Sequence, residues 1–254
     1  MRFHALRGGL TAVLLVTGLT VAGAQELGSI TFPTSGAAAA QPAFLEGVKA
    51  LHSFQFDEPA EAFRRAQKAD ANFALAYWGE AMSHNHPLWA QQDLDAAKGA
   101  LDRLAPTHEA RLTKAKLPKE KALLEAMQVL YFSPGDKLAR DIAYSEAMAR
   151  MHALWPDDHD IATFYALSLL GTVRPGDTGF RRQALAASIV QDVFAENPKH
   201  PGAAHFIIHS FDDPSVIPEQ GTVGLEIAQD CACLGVSPDI VVVPCSGGGL
   251  AAGI

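Results

Sequence analysis

Residues 200–214 hold the densest set of groups able to do chemistry in this chain: His200, His205 and His209, with Asp212 and Asp213 close behind. Pro201 suits the first position of a helix, where a missing N–H costs nothing. His205 and His209 are then four residues apart and share one helix face. Asp213-Pro214 marks the exit, because a residue before proline is pushed out of the helical region. Two imidazoles one helical turn apart are a metal-ligand pattern. His84 and His86 can supply further ligands from a loop, and Asp212 or Asp213 can ligate or orient an imidazole. The candidate transition-metal set is therefore His84, His86, His205 and His209. The competing role is structural: histidines bonding to helix ends, with His200 capping the helix that Pro201 begins. A metalloprotease is excluded, since Phe206 stands where H-E-x-x-H needs its general-base glutamate.

A second constellation lies at the other end of the chemical range. Ile240-Val241-Val242-Val243 is a continuous β-branched run, the pattern of a strand buried on both faces. Ser246, Gly247, Gly248 and Gly249 follow it directly. Glycines after a strand let successive N–H groups converge on a phosphate, and a helix N-terminus adds its dipole. No Ser–His–Asp arrangement can be assigned from spacing.

The elements that carry these groups are mostly helices. Phe44, Val48, Leu51, His52 and Phe56 recur at helical spacing, and Asp57-Glu58-Pro59 starts the next helix. Further helices are expected over residues 73–82, 93–104, 119–132, 137–154, 159–170 and 181–196. No strand pattern occurs before residue 221, so residues 43–218 read as all-α. Residues 25–42 are rich in Gly, Ala and Pro and read as a linker. Residues 1–24 read as a signal peptide: Arg2 and Arg7, an apolar run from Leu10 to Val21, and Ala22-Gly23-Ala24 as the cleavage site. Export to the periplasm or the outside is expected, and no later stretch is long and apolar enough to span a bilayer. The net charge of −8 at pH 7, without clustered Lys or Arg, argues against a nucleic-acid partner. Cys231, Cys233 and Cys245 all fall in the last stretch, an odd number of thiols for an exported chain.

Phe63, Ala66 and Ala71 form a large–small–break triple that recurs as Met148, Met151, Pro156 and as Val190, Val193, Pro198. This pattern resembles the tetratricopeptide repeat, in which small residues let paired helices approach and a proline ends one helix before its neighbour. The segments 51–57, 76–82, 84–89 and 200–214 are similar to a bacterial family of exported tetratricopeptide-like proteins, over about residues 43–215. That resemblance implies a helical-hairpin array acting as a scaffold for a protein or peptide partner, without catalysis.

Residues 221–227 and 243–253 look like fold-type II pyridoxal-phosphate enzymes, the threonine dehydratase and serine racemase group. The resemblance covers about residues 220–254. It implies that Ser246, Gly247, Gly248 and Gly249 correspond to the cofactor-phosphate loop. The family's cofactor lysine lies in a Ser-x-Lys-x-Arg-Gly motif, and no lysine here has that context. A phosphate loop without that lysine cannot run the chemistry. The expected architecture is thus mainly α, with a helix–strand–glycine-loop fragment of α/β type over residues 219–254 that is catalytically inert and binds no pyridoxal phosphate.

Overall fold

The computed structural model describes residues 27–210, apart from 56, 175, 176, 178 and 179, and the side chains of 57 and 207–210. The glycine loop at 246–249, the cysteines, Asp212, Asp213, the amino-terminal signal and the side chain of His209 lie outside the described residues.

The order of elements is α1 (Gln41–His52), α2 (Asp57–Ala69), α3 (Ala74–Ser83), β1 (Asn85–His86), a 3-10 turn (Pro87–Trp89), β2 (Gln91–Gln92), α4 (Leu94–Leu104), α5 (His108–Lys114), α6 (Pro118–Phe132), α7 (Lys137–Leu154), α8 (His159–Gly171), α9 (Arg181–Glu196) and α10 (Pro201–Ser210). The mainly helical expectation holds. The only strand pairing among the described residues is the short antiparallel pair β1–β2, with Asn85 opposite Gln92. The caps are those that short polar side chains favour. Asp93, Thr107, Asp136 and Asp158 each accept from the backbone N–H three residues on.

The core is centred on α3, where every residue from Ala74 to Ser83 is buried. An all-round apolar helix is stable only when its neighbours cover it, and α1, α2, α4 and α6 do so. Phe63 is the pin of this packing. A methyl group on Gly79 would meet its ring at 2.3 Å and one on Gly47 at 2.9 Å. Phe63 therefore marks a close approach of helices. The two partners that make it are glycines on α1 and α3. From α6 onward each helix packs on the next, and α10 returns to contact both α8 and α1. That closure brings the two ends of the described chain together.

One region differs from its sequence reading. Residues 27–40 form a strap held along the body. Phe32 is buried against Phe44, at a ring separation of 5.4 Å, and Ser35 donates through N and Oγ to Glu120 at 2.6 and 2.7 Å. Ser29 N–H donates to the Lys199 carbonyl at 2.9 Å. Lys119 is buried beside this strap. It pairs with Asp158 at 2.6 Å and sits over the Phe32 ring. No helix among the described residues is long and apolar enough to cross a membrane.

Candidate functional site

Three helix ends meet in the interior. His52 is the last residue of α1, Asp160 lies in the first turn of α8, and His200 precedes α10. All three are at most 1% exposed. His52 Nε2 stands 3.2 Å from Asp160 Oδ1, and His200 Nε2 stands 3.5 Å from the same oxygen. The imidazole rings meet edge-on, with centroids 5.0 Å apart.

Each member is placed by its local structure. Asp158 caps α8, so Asp160 falls two residues later on the inner face. His200 receives the Ala203 N–H on Nδ1 at 3.3 Å, the capping role expected from the sequence. An acceptor at Nδ1 puts the neutral ring's hydrogen on Nε2, facing Asp160. His52 stacks on Phe164 at 4.4 Å and edges toward Phe206 at 5.8 Å. Gly202 leaves it room, because a Cβ there would lie 2.7 Å from His52 Nδ1.

The electrostatics follow from burial. Desolvation pulls the His52 pKa from 6.5 down to about 4, against the opposing pull of Asp160. The ring is therefore neutral at pH 7. Burial pushes the Asp160 carboxyl up, but its contacts with His200 and His52 outweigh this and hold it below its ordinary value. An ionised carboxylate thus sits in the interior between two imidazoles. Its place at the start of α8 adds the favourable end of a helix dipole. Among the described residues Asp160 pairs with no Lys or Arg. Among the described residues His52 Nδ1 and His200 Nε2 are buried without completing a hydrogen bond.

Of the histidines proposed from sequence as metal ligands, His84 ends α3, and burial lowers its pKa. His86 lies in β1 with Nε2 3.2 Å from the Ser83 carbonyl. His205 Nδ1 lies 2.8 Å from the Pro201 carbonyl. Among the described residues, the cluster that brings three His, Cys, Asp or Glu ligand atoms together is His52, Asp160 and His200, within 4.8 Å of one another. His84, His86 and His205 are not members. His52 and His200 stand in the histidine-bearing segments singled out by sequence. Asp160 carried no signal of its own, since an acid in a helix's first turn usually faces water.

Two surface clefts border this unit, and His200 lines both. The larger, about 570 Å³, runs between the strap residues Thr31 and Pro33 and the α7–α8 turn at Leu154, Trp155, Pro156 and Asp157. The smaller, about 250 Å³, lies beside Gly28, Ser53 and His205.

Comparison with known proteins concerns the carboxyl-terminal part. The family described as pyridoxal-phosphate dependent enzyme matches residues 168–254. L-threonine ammonia-lyase of Thermotoga maritima is 49% identical over 47 residues, 18% of this chain and 11% of that protein. L-threonine dehydratase catabolic TdcB of Escherichia coli strain K12 is 53% identical over 47 residues, 18% of this chain and 13% of that protein. The chain thus spans little more than a tenth of the length of these relatives. No solved structure matches. The family match starts well before the boundary near residue 220 read in the sequence, inside α8.

The described residues of that match do not fit a pyridoxal-phosphate site. A lysine that forms the cofactor bond needs a sheltered setting that lowers its pKa. Lys199, the one lysine in residues 168–254, is exposed on the turn between α9 and α10. The helices around it share their core with α8. What the comparisons establish is a match to the pyridoxal-phosphate dependent enzyme family over residues 168–254, with threonine dehydratase relatives over a short fragment.

Proposed function

We propose that this protein is an exported helical-repeat scaffold that binds a segment of a partner protein without catalysis. The observation that carries this reading is the larger cleft. It is open, lined by Leu154, Trp155 and Pro156, rimmed by Asp157 and by Asp158, which pairs with Lys119, and its lining residues include no Lys or Arg. Leu154 is 70% exposed there, a large apolar side chain left to solvent beside an acidic rim. An extended segment carrying an apolar residue next to Lys or Arg matches that chemistry. The sequential packing of α6 to α10 supports an array of the tetratricopeptide kind. The basic, then apolar, then Ala22-Gly23-Ala24 order of the amino terminus supports export.

Panning a random-peptide phage library on the full chain tests this. Basic, apolar-containing peptides are expected, with binding lost in Leu154→Glu and Asp157→Lys. Peptides that bind these variants as well as the original, or no enrichment, would overturn the reading.

The family match favours a second reading, a threonine dehydratase-like enzyme. Its test is a cofactor absorbance band that survives dialysis after the full chain is mixed with pyridoxal phosphate. The lysine exposure above leads us to expect none.

A further inference from the structure

We infer that His52, Asp160 and His200 form a binding site for one divalent transition-metal ion of the zinc class. Two imidazole nitrogens and one carboxylate oxygen are a donor set that zinc accepts, with a remaining position for an outside ligand. The spacing fits. A tetrahedral ion with bonds of about 2.1 Å has ligand–ligand edges of about 3.4 Å. The two measured edges are 3.2 and 3.5 Å, and all three ligand atoms lie within 4.8 Å of one another.

The second observation is the orphaned nitrogen. His200 Nε2 is buried and points into the cluster, where it stands 3.5 Å from Asp160 Oδ1 without completing a hydrogen bond among the described residues. A buried polar atom is normally satisfied, and a metal ion supplies the missing partner. Charge agrees as well. The carboxylate is flanked by imidazoles, and no Lys or Arg pairs with it among the described residues. The access route is His200 itself, which lines both clefts. An ion and its outside ligand reach the cluster past that ring.

Capture has a defined cost. Once Nε2 of His200 binds the metal, the ring's hydrogen must sit on Nδ1. It then faces the Ala203 N–H, and the 3.3 Å cap bond opens. The 3.2 Å hydrogen bond between His52 and Asp160 is given up as well, the His52 hydrogen moving to Nδ1, and these two bonds are exchanged for the metal–ligand bonds. The site differs from the sequence-read set of His84, His86, His205 and His209, and it does not depend on what occupies the larger cleft.

The test uses the full chain stripped with EDTA and titrated with zinc by calorimetry. One equivalent is expected, with a rise in Tm. His200→Gln and Asp160→Asn should weaken binding by about 100-fold or more, the upper end of what losing even an outer-shell partner costs. His84→Gln, His86→Gln and His205→Gln should leave it unchanged. X-ray absorption on the zinc-loaded original chain needs no variant and guards against misfolding. Two imidazoles with oxygen donors are expected. Sulfur donors from Cys231, Cys233 or Cys245, three or more imidazoles, or no uptake of micromolar zinc would each overturn the site.

Discussion

Glu80 and Asp160 are both carboxylates buried to about 1% exposure, and each is held in a different way. Glu80, on α3, accepts from Arg64 at 2.7 Å, Arg103 at 2.5 Å and Gln67 at 2.6 Å. Burial pushes its carboxyl up, but these donors hold it below its ordinary value. The two guanidinium groups are about half exposed and stay charged at every accessible pH. Among the described residues Asp160 is paired only with imidazoles, and both are buried. The first arrangement fastens α3 to α2 and α4 until the pH falls below the ordinary carboxylate range. The second is fastened by groups that can take a proton or a metal. The same net contact, a satisfied buried acid, is a permanent lock in one place and a responsive one in the other.

The largest expected effect separates them by deletion. Asp160→Ala takes away the acceptor that His52 Nε2 faces at 3.2 Å and opens a cavity, at a cost of about 3–5 kcal/mol in urea unfolding. The same midpoint followed against pH, with chelator present, tests the responsive half. The folded His52 pKa of about 4 lies below 6.5, so the unfolded chain binds more protons between those values. Stability is full above about pH 6.5 and falls as the pH drops toward 4, by about 3 kcal/mol for this fully buried ring. Glu80 and Asp160, both with lowered values, add losses only below the ordinary carboxylate range. A third change works through space alone. Gly202→Ala puts a methyl group 2.7 Å from His52 Nδ1 and should cost about 1–3 kcal/mol by thermal unfolding. The smallest effect belongs to the permanent lock. Glu80→Gln keeps the shape and loses charge-assisted bonds to half-exposed arginines, about 1 kcal/mol after solvent screening. Its slope between pH 4 and 6.5 should match the unmodified chain.

The sequence made the helices legible because their signals are local. Asp93 and Asp158 cap, Pro118 and Pro201 begin helices, and apolar spacing marks the inner faces. The short helix α5 escaped because a single turn or two behind Thr107 shows too few periods. The strap at residues 27–40 escaped for another reason. Its composition is that of a linker, while Ser35 finds its partner at Glu120, 85 residues away. Two of the three residues of the candidate site were legible: His52 and His200 stand in segments notable for histidine. Asp160 was not, since only the return of α10 onto α1 and α8 makes an acid in a helix's first turn an interior group.

The most direct test of the contrast is nitrogen-15 NMR of the histidine rings, with and without zinc. In metal-free chain near neutral pH, His52 is expected as a neutral ring with hydrogen on Nε2, staying neutral well below pH 6.5. One equivalent of zinc should shift the Nε2 resonances of both His52 and His200. A His52 ring that titrates near 6.5 like a surface histidine, or zinc that leaves both rings unmoved, would contradict the account.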